Sequence, residues 1–280
     1  MQHSNETDHR SYLGKNRIQA PLIMTVGDFE LSLLPPTSYD VKYVPSDPII
    51  GYAFDSQEGM HGFASDKVKP YQARANGVAF LPADCEVISR SKKGGEYLNI
   101  KIRGVRSKEL RLLNQFTDLV DPKVIPTAEY LRRMMMSNVM FDPLEYDEQI
   151  TKLCSSISNS QELLTDKNAG RWMTKRRLKL VDEFIEVEMA NQLKVKDVAQ
   201  MLNLSEGFFN RSFKASMGKT PHCYLLDRRI ANARKQIITT RKKLAAIAAN
   251  CGFASQAHMT SQIKRSIGIT PGELRNHYMG

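Results

Sequence analysis

Two Thr-Pro pairs, Thr220-Pro221 and Thr270-Pro271, stand 50 residues apart, and each follows a glycine in nearly the same words, GKTP and GITP. Aligned on these pairs, VKDVAQMLNLSEGFFNRSFKASMGKTP (Val195–Pro221) matches LAAIAANCGFASQAHMTSQIKRSIGITP (Leu244–Pro271). Val198-Ala199 falls on Ile247-Ala248, Ser205 on Ser255, Lys214 on Lys264 and Gly218 on Gly268; the turn before the serine is one residue longer in the second copy. A recurrence at fixed spacing is the mark of a duplicated structural unit, and it restricts this region to architectures that use the unit twice.

Each copy reads as helix, tight turn, helix. Val195, Val198, Ala199 and Leu202 recur at i, i+3, i+4, i+7, the stripe of a helix lying on a core. Asn203 or Leu204 turns the chain, and Ser205 supplies a hydroxyl to cap the next helix. Phe208, Phe209 and Phe213 give that helix its buried side, and Gly218 ends it as a left-handed cap. The second copy repeats the scheme with Leu244, Ile247 and Ala248, Gly252 in the turn, Ser255 as cap, Met259 and Ile263 inside, and Gly268 as stop. These are helix-turn-helix units, at 195–218 and 244–268. Proline after each unit removes a donor and fixes φ where the following helix begins. Between the units, residues 223–238 (CYLLDRRIANARKQII) read as a helix of roughly 25 Å, compatible with holding two recognition helices about one duplex turn, roughly 34 Å, apart.

Charge agrees with this division. The net charge is +10, yet residues 1–170 hold 20 Lys/Arg against 22 Asp/Glu (net −2) and residues 171–280 hold 20 against 8 (net +12). Such asymmetry points to a polyanion as partner of the C-terminal part.

Residues 172–280 resemble the C-terminal DNA-binding domain of the AraC/XylS family of bacterial transcription regulators. The residues that carry the resemblance are Val198-Ala199, Leu204-Ser205, Arg211-Ser-Phe-Lys214, Gly218, Thr220-Pro221, Tyr224-Leu225, Arg229, Ala233, Ile247-Ala248, Cys251-Gly-Phe253, Ser255, Lys264, Gly268, Thr270-Pro271 and Arg275. Where the family carries aromatic residues in its second recognition helix, this chain has Met259 and Ile263. The resemblance implies double-stranded promoter DNA as partner and no cofactor. It allows a homodimer, RNA polymerase and an unidentified small-molecule effector as further partners.

The expected base contacts are Asn210 and Arg211 in the first recognition helix and Gln256, Ala257, His258 and Ser261 in the second. Arg can grip guanine O6/N7 with two donors, Asn and Gln can do the same for adenine, and Ala can touch a thymine methyl. Gly207 falls on a base-facing position without a side chain. Expected phosphate contacts are Ser205, Lys214, Lys219, Ser255, Lys264 and Arg265, which position the protein without reading sequence. The Arg241-Lys-Lys243 run reads as a solvated face, and Trp172 as packing where the domains meet.

Before residue 104 the pattern changes. LIMTVGDFELSLL, YDVKYV, IIGYAF, GVAFLP, CEVISR and EYLNIKI are short β-like runs separated by PPTS, PSDP, SQEGMHG and SKKGGE. Many short strands with turn punctuation suggest a sandwich or barrel, and the family resemblance implies a cupin-like jelly roll. Helices are expected at 107–120, 127–141 and 143–164. The whole is α+β: a flexible stretch 1–20, a cupin-like effector-binding and dimerisation domain 21–165 with a helical appendix, a linker 166–173, and an all-α double helix-turn-helix domain 174–280.

Two rival readings have less support. An enzyme with a basic DNA-docking domain would need catalytic or metal-ligating clusters, but the first 170 residues hold only His3, His9 and His61, and Cys85 has no histidine nearby in sequence. No catalytic residue, metal site or cofactor is expected. A non-specific architectural DNA binder needs only charge and a wedge, not two capped recognition helices. Cys85, Cys154, Cys223 and Cys251 form no CxxC pair, and no apolar run has signal-peptide or bilayer-spanning length, so the expected location is the cytoplasm and no membrane partner is expected.

Overall fold

The computed structural model describes residues 21–64, 67–110, 115–137, 142–163, 173–191 and 193–279. The flexible stretch expected at 1–20, Trp172 and all of the expected linker except Met173 lie outside the described residues.

Among these residues ten strands form two sheets, β1 (Leu22–Val26), β2 (Phe29–Leu34), β3 (Tyr39–Tyr43), β4 (Ile49–Ala53), β5 (Gln57–Phe63), β6 (Lys69–Ala73), β7 (Gly77–Leu81), β8 (Val87–Ser91), β9 (Tyr97–Ile102) and β10 (Phe116–Val120). One sheet has the order β1-β2-β9-β4-β7-β10 and the other β3-β8-β5-β6. Gly27, at φ 53°, turns β1 back on β2 so that Val26 lies opposite Phe29. Antiparallel pairing then sets Leu31 opposite Ile100 and Ile50 opposite Ile100 from the other side. Leu31, Ile50, Val78, Phe80, Leu98 and Ile102 are fully buried and make the core of this half. Full burial of each such side chain contributes about 1.5–3 kcal/mol.

Two segments differ from the sequence expectation. SQEGMHG, expected to separate strands, supplies most of β5, paired with β6 and β8. Gly59 is what the pairing needs, because a side chain there would run into the Arg90 carbonyl and lie 2.9 Å from the Tyr71 ring. The helix expected over 107–120 is instead α1 (Gly104–Leu110) followed by the strand β10. Asp118 takes a φ of 64° in that strand, and its carboxylate receives the Arg74 backbone N–H at 2.9 Å and the Arg74 guanidinium at 3.0 Å.

The helices that follow are α2 (Val124–Ser137), α3 (Pro143–Leu163), α4 (Lys175–Glu188), α5 (Val195–Met201), α6 (Glu206–Met217), α7 (Pro221–Thr239), α8 (Leu244–Asn250), α9 (Gln256–Ile267) and α10 (Pro271–Met279). The chain forms two compact units, Met1–Leu119 with Asp142–Thr151, and Val120–Phe141 with Lys152–Gly280. The second unit therefore takes in α2, a helix that the sequence reading grouped with the strands. Its core includes Val181, Phe209, Phe213, Ala233, Ile237, Ile247, Met259, Ile263 and Ile267, none more than 1% exposed. No helix among the described residues is long and apolar enough to cross a membrane.

Candidate nucleic-acid interface

The duplication seen in the sequence is a duplication of hydrogen bonds. In the first unit Asn203 takes a φ of 55° and the Leu204 N–H donates to the Ala199 carbonyl at 2.9 Å; in the second Gly252 takes 71° and the Phe253 N–H donates to the Ala248 carbonyl at 3.0 Å. Asn tolerates the left-handed region better than most side chains. At 252 only glycine fits, since a Cβ would run into the Met189 carbonyl and lie 3.1 Å from Arg229 Nε.

Each recognition helix then opens on serine. The Phe208 N–H donates to Ser205 Oγ at 3.3 Å, and the His258 N–H to Ser255 Oγ at 3.1 Å. Each closes on a left-handed glycine, Gly218 at φ 69° and Gly268 at 84°, whose N–H groups donate to the Lys214 and Lys264 carbonyls. Threonine caps the next helix in both copies. The Cys223 N–H donates to Thr220 Oγ1 at 3.3 Å, and the Glu273 N–H does the same to Thr270 while the Glu273 carboxylate accepts the Thr270 N–H at 2.7 Å, a capping box. Pro221 and Pro271 occupy the first helical position, where a missing N–H is harmless. Glycine stop, threonine cap and proline start together form one exit, used twice.

Burial separates the two sides of α6. Phe209 and Phe213 are buried, with ring centroids 5.4 Å apart, and Phe213 meets Tyr224 of α7 edge-on at 5.1 Å. Phe208, expected inside with them, is only half-buried. On the other side Glu206, Gly207, Arg211 and Lys214 are exposed and Asn210 is half-buried. In α9 Met259, Ile263 and Ile267 fill the core, whereas Gln256, Ala257, His258, Ser261, Lys264 and Arg265 are exposed. The His258 ring stands edge-on to Phe253 at 5.6 Å. Apart from Lys219, the structure thus places the sequence-predicted contact residues on the outward sides or at the first turns of two capped helices. Ser205 and Ser255 spend an acceptor on capping and keep their hydroxyl protons to donate.

Lys219 sits differently. Its ammonium is largely buried, bonded to the Glu129 carboxylate of α2 and to Asp227 Oδ2 of α7 at 2.7 Å. Burial works against its charge, but Asp227 and Glu129 outweigh that and hold its pKa above the ordinary lysine value. Burial likewise pushes the Asp227 carboxyl up, against the pull of Lys219. A lysine whose charge is paired in this way is a structural ion-pair member rather than a free phosphate donor. Its partner Glu129 lies 90 residues upstream, and no local sequence signal marks it.

Two arginines that carry the resemblance turn out to join the units internally. Arg229 Nη2 donates to the Leu193 carbonyl at 3.1 Å while its Nε lies beside Gly252. Arg275 donates to the Lys242 carbonyl at 2.7 Å, fixing the basic 241–243 loop ahead of α8. Among the described residues no group of three or more His, Cys, Asp or Glu could hold a metal ion.

Comparison with known proteins follows the same division. Residues 198–277 match the model of a family described as helix-turn-helix domain. A probable transcriptional regulator, LumQ of Photobacterium leiognathi, is 30% identical over 123 residues, 42% of this chain and 50% of that protein. The transcriptional activator RhaS of Mannheimia succiniciproducens is 24% identical over 192 residues, 68% of each chain. The solved structure of an AraC-type transcriptional regulator from Chromobacterium violaceum is 28% identical, covers 38% of this chain and 94% of that one, and has a TM-score of 0.36. The chain thus spans half the length of the first of these relatives, and the family match covers the second helix-turn-helix unit and all but the first three residues of the first. Residues 198–277 of this chain belong to the family described as helix-turn-helix domain, and the relatives that match there are named as transcriptional regulators.

Proposed function

We propose that this chain is a sequence-specific DNA-binding transcription regulator whose helices α6 and α9 enter successive major grooves. The observation that carries the reading is the pair of identically capped helices, each with a short polar side outward, in a segment of net charge +12. Asn210 and Arg211 read bases from α6, and Gln256, Ala257, His258 and Ser261 read them from α9. Lys214, Lys264 and Arg265, with the hydroxyls of Ser205 and Ser255, meet phosphates. Arg211 gives α6 a guanine-reading fork, whereas the outward side of α9 near its start has none, so α6 supplies more of the specificity.

The first 165 residues supply a homodimer contact and a place for an effector, and the protein works in the cytoplasm beside RNA polymerase. The names of the relatives, a probable regulator and an activator, support regulation over catalysis. The test is fluorescence anisotropy of the full chain on a duplex recovered by in vitro selection and on a random duplex, each titrated with salt. The expected result is a ratio of affinities of about 10³ or more at physiological salt. Equal affinity at every salt concentration would replace the regulator with an architectural binder. Sedimentation equilibrium of the full chain checks the dimer.

A further inference from the structure

The helix α2 crosses the far ends of both recognition helices. At its start, Ile125 Cδ1 lies 2.7 Å from where a Cβ on Gly218 would stand, with Val120 and Pro122 beside it. At its end, Ser137 Cβ and Arg133 Cγ lie 3.0 and 3.3 Å from the same point on Gly268. Between them Glu129 bonds Lys219, and Arg132 Nη2 donates to Ser266 Oγ at 3.0 Å. Ile125, Glu129, Arg132 and Ser137 fall on one side of a helix, spread over roughly 18 Å at about 1.5 Å per residue. The glycine that ends each recognition helix is thus also the place where α2 comes close, and an added side chain there would be strained by φ and would press on α2.

The charges alternate along this contact. Glu129, Lys219, Asp227 and Arg132 follow one another in sign, with Asp227 of α7 acted on by both Lys219 and Arg132. Arg132 is buried although charged, and Leu131, Met134, Met135 and Met136 are buried on the same helix. A helix so fixed at both ends joins two units that each have their own caps and core.

We propose that α2 is a clamp that couples the two helix-turn-helix units, Glu129 holding it to the exit of α6 and Arg132 to the exit of α9. With the clamp closed, the two recognition helices move as one body; with it released, each moves on its own about α7. On the reading that both helices enter DNA, the clamp fixes the spacing that the protein accepts; that consequence rests on the proposed function, whereas the coupling does not. Coupling between two sites is reciprocal, so a disturbance at one exit must be felt at the other.

The experiment is amide hydrogen exchange of the full chain without DNA. Glu129→Gln keeps the Lys219–Asp227 pair and removes one charge of the clamp. The expected result is exchange faster by about fivefold, the scale of a lost partly exposed ion pair, in the last turns of both α6 and α9. In the Arg132→Met background the same substitution then leaves α9 unchanged, because the polar link from Arg132 to Ser266 is already gone. Unchanged exchange at both helices, or a change confined to α6, overturns the clamp. So does an effect on α9 that persists with Arg132→Met, since the signal would then travel through α7. Should Arg132→Met fail to fold, Ser266→Ala releases the same end and decides by the same criteria.

Discussion

Arg211→Ala is the most direct probe of base reading. Arg211 is exposed on α6, one turn after Gly207, whose missing side chain leaves the Arg211 guanidinium 3.6 Å from the space a Cβ would take. Among the described residues no ion pair or hydrogen bond of its side chain is seen, so its removal should leave folding within about 0.5 kcal/mol of the parent, as surface substitutions do. Its loss from a guanine edge costs about 1–3 kcal/mol, a fall of roughly 5- to 150-fold in affinity for the selected duplex. On random DNA only a phosphate-scale contribution is lost, because non-specific binding is almost wholly counterion release. The assay is anisotropy on both duplexes at matched salt, after the two proteins are shown to melt alike. A loss by the same factor on selected and random DNA refutes the assignment.

Lys264→Ala, at an exposed position in the last turn of α9, should weaken all duplexes alike and lower the slope of log K against log salt by about 0.9; an unchanged slope argues against a phosphate contact. Phe213→Ala removes a ring held between Phe209 and Tyr224 and should destabilise the helical unit by about 3–5 kcal/mol in urea unfolding; a loss under about 1 kcal/mol would mean that the site collapses around the gap. Burial pushes the Cys251 thiol from 9.0 up to about 11. Its contribution to stability is therefore complete below pH 9 and is lost as pH rises towards 11, where only the unfolded thiol ionises readily. Urea midpoints between pH 8 and 11 should fall less steeply for Cys251→Ala than for the parent, and parallel slopes would count against the shift.

The C-terminal half was legible because its signals are local. Caps, stops and apolar stripes all lie within one helix length of each other, and the second copy served as a control on the first. The turn at Asn203 or Leu204 and Met259 inside the core are examples of expectations that needed no long-range knowledge. The strands were harder to read. Gly59 and Gly62 made β5 look like a turn, yet at Gly59 glycine is needed because Arg90 and Tyr71 crowd the position. FTDLV is too short for its apolar spacing to separate helix from strand, and pairing in the sheet decided it. Lys219 was misleading for a different reason. Basic residues near a recognition helix suggest phosphate, and only the fold brings Glu129 to it.

The helix α7 has 19 residues and no proline beyond its first position, so it behaves as a shaft with a helix-turn-helix at each end. On such a shaft length and rotation are tied together: each inserted residue advances the far end by about 1.5 Å and turns it by about 100°. On the proposed function, the number of residues between the two Thr-Pro exits is consequently a phase, set against the winding of the duplex. One inserted residue would leave the sequence of α9 intact and turn its polar side away from the direction in which α6 presents its own. An insertion of four, close to one whole turn, would nearly restore the direction while lengthening the reach by about 6 Å. The 50-residue repeat is in this sense a pitch as much as a duplication.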